Sequence, residues 1–215
     1  MSWDVGAWVI DTVNSVLSAL IQAHGTQTFT SDGTFTVPDG VTKIWITAFG
    51  AGGSGYDYYG GQGGDFVIRK AFMVTPNDSL SITVGKGNLN EDGGATVIGN
   101  LITLAGGGKG DGKRNHKGAL GGTTANGVEI AAQNTVFAHG GLRGTDNNSS
   151  SGGQGGFGGG AGYGRGGDGA EGNTKYYVGF NGENGGIGAG GGGGGYGSRI
   201  GTPGIGGDGI VIIEW

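Results

Sequence analysis

The sequence contains no cysteine, only three prolines and few charges. Without thiols, disulfides, thiolate metal sites and cysteine nucleophiles are all excluded, so packing and hydrogen bonds have to hold the chain together. Twelve Lys+Arg against seventeen Asp+Glu leave a net charge of −5, which gives no basis for electrostatic capture of nucleic acid. Long hydrophobic runs are also missing. The most apolar stretch, Val5 to Ala23, has no basic residue before it and carries Asp11 and Asn14. It therefore predicts neither a signal peptide nor a membrane span, and no membrane insertion is expected.

What is abundant is glycine, 59 residues of 215, roughly four times the usual share. Such a composition often means disorder, because glycine is costly to order and little apolar surface is present to offset the cost. Here hydrophobic residues still make up 34% of the chain, and the glycines are spaced. Gly179, Gly182, Gly185, Gly188, Gly191, Gly194 and Gly197 recur every third residue, and Gly201, Gly204 and Gly207 continue one register later. Upstream, Gly152, Gly155, Gly158, Ala161, Gly164 and Gly167 keep the same period. A period of three matches the polyglycine II helix, which shares the polyproline II backbone and has no internal hydrogen bonds. Several such helices side by side can pair through their main chains. Collagen uses the same period but needs abundant proline, and Pro203 is alone in this stretch, so a packed bundle is expected instead.

The rest of the chain alternates like β-structure. Strands are expected around Phe29, Phe35 and Val37, over Lys43 to Phe49, Phe66 to Val74, Leu80 to Val84, Ala95 to Ile98 and Leu101 to Ala105, and over the closing Ile210 to Trp215. Pro38-Asp39-Gly40, Pro76-Asn77-Asp78 and Gly99-Asn100 read as turns. At the start, Val9, Val13, Val16 and Leu20, with Ile10, Leu17 and Ile21 alongside, form one face of a helix. That stripe either packs on the chain's own body or docks to a partner or to another copy.

The expected fold is thus mainly β. A small β-sandwich-like body spans 26–106 and is completed by 209–215, a glycine-rich region over 107–208 forms a bundle of polyglycine II helices with recognition loops, and a short N-terminal α-helix over 1–25 serves docking or oligomerisation.

Catalytic and cofactor signatures are weak. Gly153, Gly155 and Gly158 match G-x-G-x-x-G, yet serines precede them where a strand is required. Gly107, Gly112 and Lys113 approach a phosphate loop, but Arg114 stands where Ser or Thr must reach magnesium. His24, His116 and His139 are scattered without metal-ligand spacing. No enzymatic activity, metal or cofactor is expected. Binding residues are better represented. Tyr163, Tyr176, Tyr177, Phe180 and Tyr196 interrupt the glycine period, at turns or outward faces. Tyr56, Tyr58 and Tyr59 cluster between glycines, either packed on the body or displayed at a tip. Aromatics suit such tips because they offer large, rigid contact area at small entropic cost. Lys109, Lys113, Arg114 and Lys117, with His116, form a local basic run, either a solvated loop or a contact for an anionic glycan.

Three stretches together, Thr28-Phe-Thr-Ser-Asp-Gly-Thr-Phe-Thr-Val-Pro-Asp-Gly-Val-Thr-Lys-Ile-Trp-Ile-Thr-Ala-Phe-Gly50, Gly60-Gly-Gln-Gly-Gly-Asp65 and Gly209-Ile-Val-Ile-Ile-Glu-Trp215, resemble the glycine-rich domain of bacteriophage tail-fibre adhesins. The resemblance covers nearly everything after residue 25. It implies a tip at the distal end of a tail fibre on the virion, recognising a host outer-membrane protein or surface polysaccharide through loops that join polyglycine II helices. A fibre-shaft protein, or another copy of the chain, would be met through the N-terminal helix. The other reading of the same features is a structural subunit or connector of a filament assembled through that helix. Ice binding would need uniformly small outward residues, which the bulky Tyr, Arg and Lys contradict.

Overall fold

The structure is a computed structural model that describes residues 24–57, 59–110, 181–194 and 201–215, together with Ile10, Val13, Thr123–Thr124, Gly172–Asn173 and Val178–Gly179. It is mainly β, with two antiparallel sheets and, among the described residues, almost no helix. Strands β1 (Thr26–Phe29), β2 (Gly33–Thr36), β3 (Lys43–Phe49), β4 (Phe66–Met73), β5 (Ser79–Thr83), β6 (Thr96–Ile98) and β7 (Ile102–Leu104) follow the alternating stretches of the sequence. After them come three two-residue strands, β8 (Thr123–Thr124), β9 (Gly172–Asn173) and β10 (Val178–Gly179), and the closing β11 (Ile210–Glu214). The first sheet runs β1-β11-β3-β4 and the second β2-β5-β6-β7-β8, while β9 and β10 pair with each other.

Alternation decides which side chains face inward. Ile44, Ile46 and Ala48 of β3, Val67 of β4 and Val211 and Ile213 of β11 meet Phe35, Leu80, Ile82, Ile98, Ile102 and Leu104 of the second sheet in one core. The anticipated Pro76-Asn77-Asp78 turn lies between β4 of the first sheet and β5 of the second and is tied to the end of β2: Val37 N–H donates to Asp78 O at 2.8 Å and Asn77 N–H to Val37 O at 2.9 Å. Asn77 takes a φ of 67° there, a conformation its short polar side chain tolerates. Among the described residues, strand β4 is an outer strand of the first sheet. A register shift between Ile46 and Ala48 bends it, Arg69 adopts a φ of 49° at that point, and the charges of Arg69 and Lys70 discourage a further strand from pairing.

Gly25 and Trp215 exchange two backbone hydrogen bonds of 3.0 Å. The Trp215 ring lies where a Cβ on Gly25 would stand, and it packs on Phe35 with centroids 5.3 Å apart. This closes the end of the first sheet at which β1 begins and β11 finishes. At the other end Phe49 pairs with both Phe66 and Ile210. There the strands give way to glycine: β3 continues into Gly50, β4 is entered from Asp65, and β11 from Gly209.

Beyond that end the backbone bonds repeat every third residue. Gly50 and Gly53 donate to Asp65 and Gln62, Ala51 and Ser54 to Gly94 and Glu91, and Gly52 and Gly55 to Gly207 and Gly204, all between 2.8 and 3.1 Å. One extended segment therefore points its N–H groups at three neighbours in turn. Its carbonyls at Ala51 and Ser54 accept from Gly107 and Gly110, and that of Gly53 accepts from Gly191. The same step recurs elsewhere, with Gly182, Gly185 and Gly188 donating to Thr202, Ile205 and Asp208, and Gly61 and Gly64 to Gly191 and Gly188. The glycines expected from sequence to face inward, Gly182 through Gly194 and Gly204 and Gly207, are donors in this lattice. Less expected is the contribution of Gly50–Gly55, Gly60–Asp65, Gly93–Gly94 and Ala105–Gly110, which lie between the strands in sequence.

Close approach is why glycine is needed. A Cβ on Gly52 would fall on the carbonyl oxygen of Ala189, and one on Gly207 on that of Gly186. The neighbouring atoms are backbone and cannot rotate away. The expected N-terminal helix lies outside the described residues, except that Ile10 and Val13 have helical backbone and are 60% and 52% exposed.

Replacing Gly52 or Gly207 with alanine is expected to destabilise the protein by about 3 kcal/mol or more, because the added methyl group must displace backbone in a packed interior. Ile205→Ala, at an exposed position of the same lattice, should shift stability by under about 1 kcal/mol. Thermal or denaturant melts of the three variants check this.

Candidate functional site

Since the glycine segments leave the two-sheet body together, their far ends also gather. There Tyr56 and Tyr59 close a tight antiparallel bridge, each N–H donating to the other's carbonyl at 2.9 Å. Asp57 at the turn has a φ of 48°, and its carbonyl accepts from Gly194 N–H at 2.6 Å. Beside the turn, the Lys109 ammonium sits 5.3 Å from the centre of the Tyr56 ring. Lys109 is held by its own N–H, which donates to Asp92 Oδ1 at 2.8 Å, and by Nζ, which donates to the Asn90 carbonyl at 3.5 Å. Asn90 takes a φ of 59° in that loop. The Gly110 N–H fixes the end of the Lys109 segment to Ser54 O at 2.9 Å.

Three segments distant in sequence thus present Tyr56, Tyr59, Asn90, Asp92 and Lys109 on one surface, with Glu91 and Asp57 beside them. Tyr56 is 41% exposed, so its ring face is open to a partner while its position is set by main-chain bonds. Asp57, Glu91 and Asp92 outnumber Lys109. The surface has an apolar plate, one cation lying on that plate, and carboxylate and amide groups around it, which suits contact with a polar partner through stacking and hydrogen bonds. Among the described residues no group of three or more His, Cys, Asp or Glu could hold a metal ion.

Of the residues singled out from sequence, Tyr56, Tyr59 and Lys109 are brought together here. Tyr58, Tyr163, Tyr176, Tyr177, Phe180, Tyr196, Lys113, Arg114 and Lys117 lie outside the described residues, as do Val9, Val16, Leu17 and Leu20. Asn90 and Asp92 escaped sequence reasoning, although their turn-rich surroundings, Asn88 to Gly94, are a loop signal. A depression of about 550 Å³ lies on the body between Ser31–Asp32 and Thr83–Lys86. Its polar groups are already engaged: Asp32 Oδ1 accepts from Val84 N–H at 2.8 Å, and Lys86 Nζ reaches Thr30 O at 3.1 Å and Asp208 at 2.9 Å.

Two antiparallel sheets bearing a lattice of glycine segments, with an aromatic turn at its far end, define a β-domain built on glycine. The chain belongs to the glycine-rich domain family, which matches residues 27–215. No curated protein matches its sequence.

Lys109→Ala should leave the fold intact and lower stability by about 0.5 kcal/mol, the value of an exposed cation–π contact. The change should vanish in a Tyr56→Ala background, which a double-mutant cycle of melts would measure.

Proposed function

We propose that the chain is a receptor-binding adhesin, the tip of a bacteriophage tail fibre, and that it acts at the host cell surface by contact and not by catalysis. The observation that carries this reading is the separation of the two ends. The pole where Gly25 meets Trp215 is where the chain enters from residues 1–24, and the aromatic turn of Tyr56 and Tyr59 sits at the far end of the glycine segments. A fibre tip needs that division between attachment and recognition.

The segments between these poles are polyglycine II helices in this reading. Threefold hydrogen bonding and glycine at the contacts support it. Such a bundle is a rigid platform, and loop positions whose side chains make no bond to it are free to vary. Tyr56, Tyr59 and Lys109 contact the receptor, a host surface protein or polysaccharide, joined by Tyr58, Tyr163, Tyr176, Tyr177, Phe180 and Tyr196. Lys113, Arg114 and Lys117 extend the contact toward anionic glycan. The chain needs no cofactor and no nucleic acid.

A second reading, a filament subunit or connector, is favoured by the exposure of Ile10 and Val13 on helical backbone. In both readings Val9, Val13, Val16, Leu17 and Leu20 dock to a fibre shaft or to other copies. Removing residues 1–24 separates them. The adhesin keeps its cell binding, whereas the filament subunit stops assembling in sedimentation.

Purified protein is expected to coat susceptible bacteria and to compete with phage adsorption. Tyr56→Ala should weaken that binding at least about tenfold, as for a central aromatic contact, with stability changed by under about 1 kcal/mol. Undiminished binding by this variant would remove the turn from the receptor surface.

A further inference from the structure

Asp65 is the one carboxylate among the described residues that the fold encloses, with 3% of its surface exposed. The other carboxylates that bond to protein groups are open to water. Asp208 meets Lys86 and Gly87 N–H, Glu214 meets Arg69, and Asp92 receives Lys109 N–H. Asp65 sits where strands turn into glycine segments. Its N–H donates to Ala105 O at 2.9 Å, its carbonyl accepts from Gly50 N–H at 2.8 Å, and its Oδ2 accepts from Ala105 N–H at 3.1 Å. Gly50 directly follows β3, Ala105 directly follows β7, and Asp65 directly precedes β4. A single residue therefore ties both sheets to the lattice at its root.

One group in this knot is unpaired. Asp65 Oδ1 is buried and has no hydrogen-bond partner. A buried carboxylate oxygen without a protein donor is costly as an anion and far less costly as a protonated oxygen. The segments packed around it, 49–51, 64–66 and 105–106, carry no other titratable side chain, so none of them supplies a compensating charge.

We propose that Asp65 is a proton-operated clasp that tightens the junction between the two-sheet body and the glycine lattice under mildly acidic conditions and loosens it when the carboxyl ionises. The proton resides on Oδ1, while Oδ2 keeps accepting from Ala105 in either state. Ionisation places an uncompensated charge among Gly50, Gly64 and Ala105, and water can reach it only if those main-chain bonds open. The fold itself thereby senses pH through the stiffness of the platform, independently of what its loops recognise.

Burial pushes the Asp65 carboxyl up from its ordinary 3.8 to about 6, partly opposed by the Ala105 hydrogen bond. Because the folded value lies above the unfolded one, the folded state holds the proton more tightly. This contribution to stability is complete below about pH 4, declines as pH rises toward 6 and is absent above that. The folded-to-unfolded ratio should fall roughly a hundredfold across this window through Asp65 alone.

The test compares the full chain with Asp65→Asn, which stays neutral and keeps an acceptor for Ala105. Unfolding midpoints are measured from pH 4 to 8, together with hydrogen exchange at Gly50, Gly64 and Gly107. The wild type should lose stability relative to the variant as pH rises from 4 to 6, with protection of the junction amides, corrected for intrinsic exchange, falling over the same window in the wild type only. Identical pH profiles in the two proteins would overturn the proposal. If the variant fails to fold, a carbon-detected NMR titration of Asp65 in the wild type decides independently: a midpoint near pH 6 is expected, and one near pH 4 would also overturn it.

Discussion

The structure depends on main-chain hydrogen bonds made directly between segments that have almost no side chains at their contacts. In most proteins apolar side chains exclude water and the backbone pairs within helices or sheets. Here the second half of the architecture reverses that arrangement. Gly50–Gly55 turns its donors to three neighbours in succession and is bonded on further sides by Gly107, Gly110 and Gly191. Such contact is available only where the intervening atom is hydrogen, since a Cβ at the crossing points would coincide with a carbonyl. Glycine is costly to order, and here that cost is offset by pairing buried N–H and carbonyl groups in every direction.

A lattice of this kind does not stand alone in the chain. Its segments start from strands whose registers are set by an ordinary apolar core, and Phe49, Phe66 and Ile210 at the strand ends form a small second cluster beneath the first glycines. The body thus aligns the segments, which continue from strand ends already paired with one another. Thr96 joins the two layers at this level: its hydroxyl donates to Phe49 O at 2.7 Å and accepts from Gly85 N–H at 3.0 Å. Asp65 lies at the same root. Packing by side chains and packing by backbone meet within a few residues, where main-chain groups partner Thr96 Oγ1 and Asp65 Oδ2 but leave Asp65 Oδ1 without a bond.

Function on such a platform separates cleanly from folding. Most bonds of the lattice join backbone atoms, with a few side chains such as Asp92, Asn181 and Asn184 accepting N–H groups, so a loop residue that makes no such bond can vary in size. Tyr56 illustrates this: its amide and carbonyl close the turn, while its ring is left to meet Lys109 and the solvent. The proposed recognition surface follows from this division of labour, and so does the expectation that its residues change without loss of the fold.

Much of this was legible in the chain itself. Alternation located the strands, because a period of two leaves one face buried, and the threefold spacing from Gly182 to Gly207 marked the donors of the lattice, because a period of three turns one residue in three to the same neighbour. The absence of cysteine, the scarcity of proline and the lack of metal-ligand spacing were equally visible. The segments supplied by Gly50–Gly55, Gly60–Asp65 and Ala105–Gly110 were not, since each is too short for a period to declare itself beside the longer series. The union of Tyr56 with Lys109 and Asn90, and the burial of Asp65, were decided by tertiary structure alone. Local pattern specifies which face a residue turns to. Which distant segment stands opposite, and whether water reaches the group between them, depends on how the sheets align the glycine segments in space.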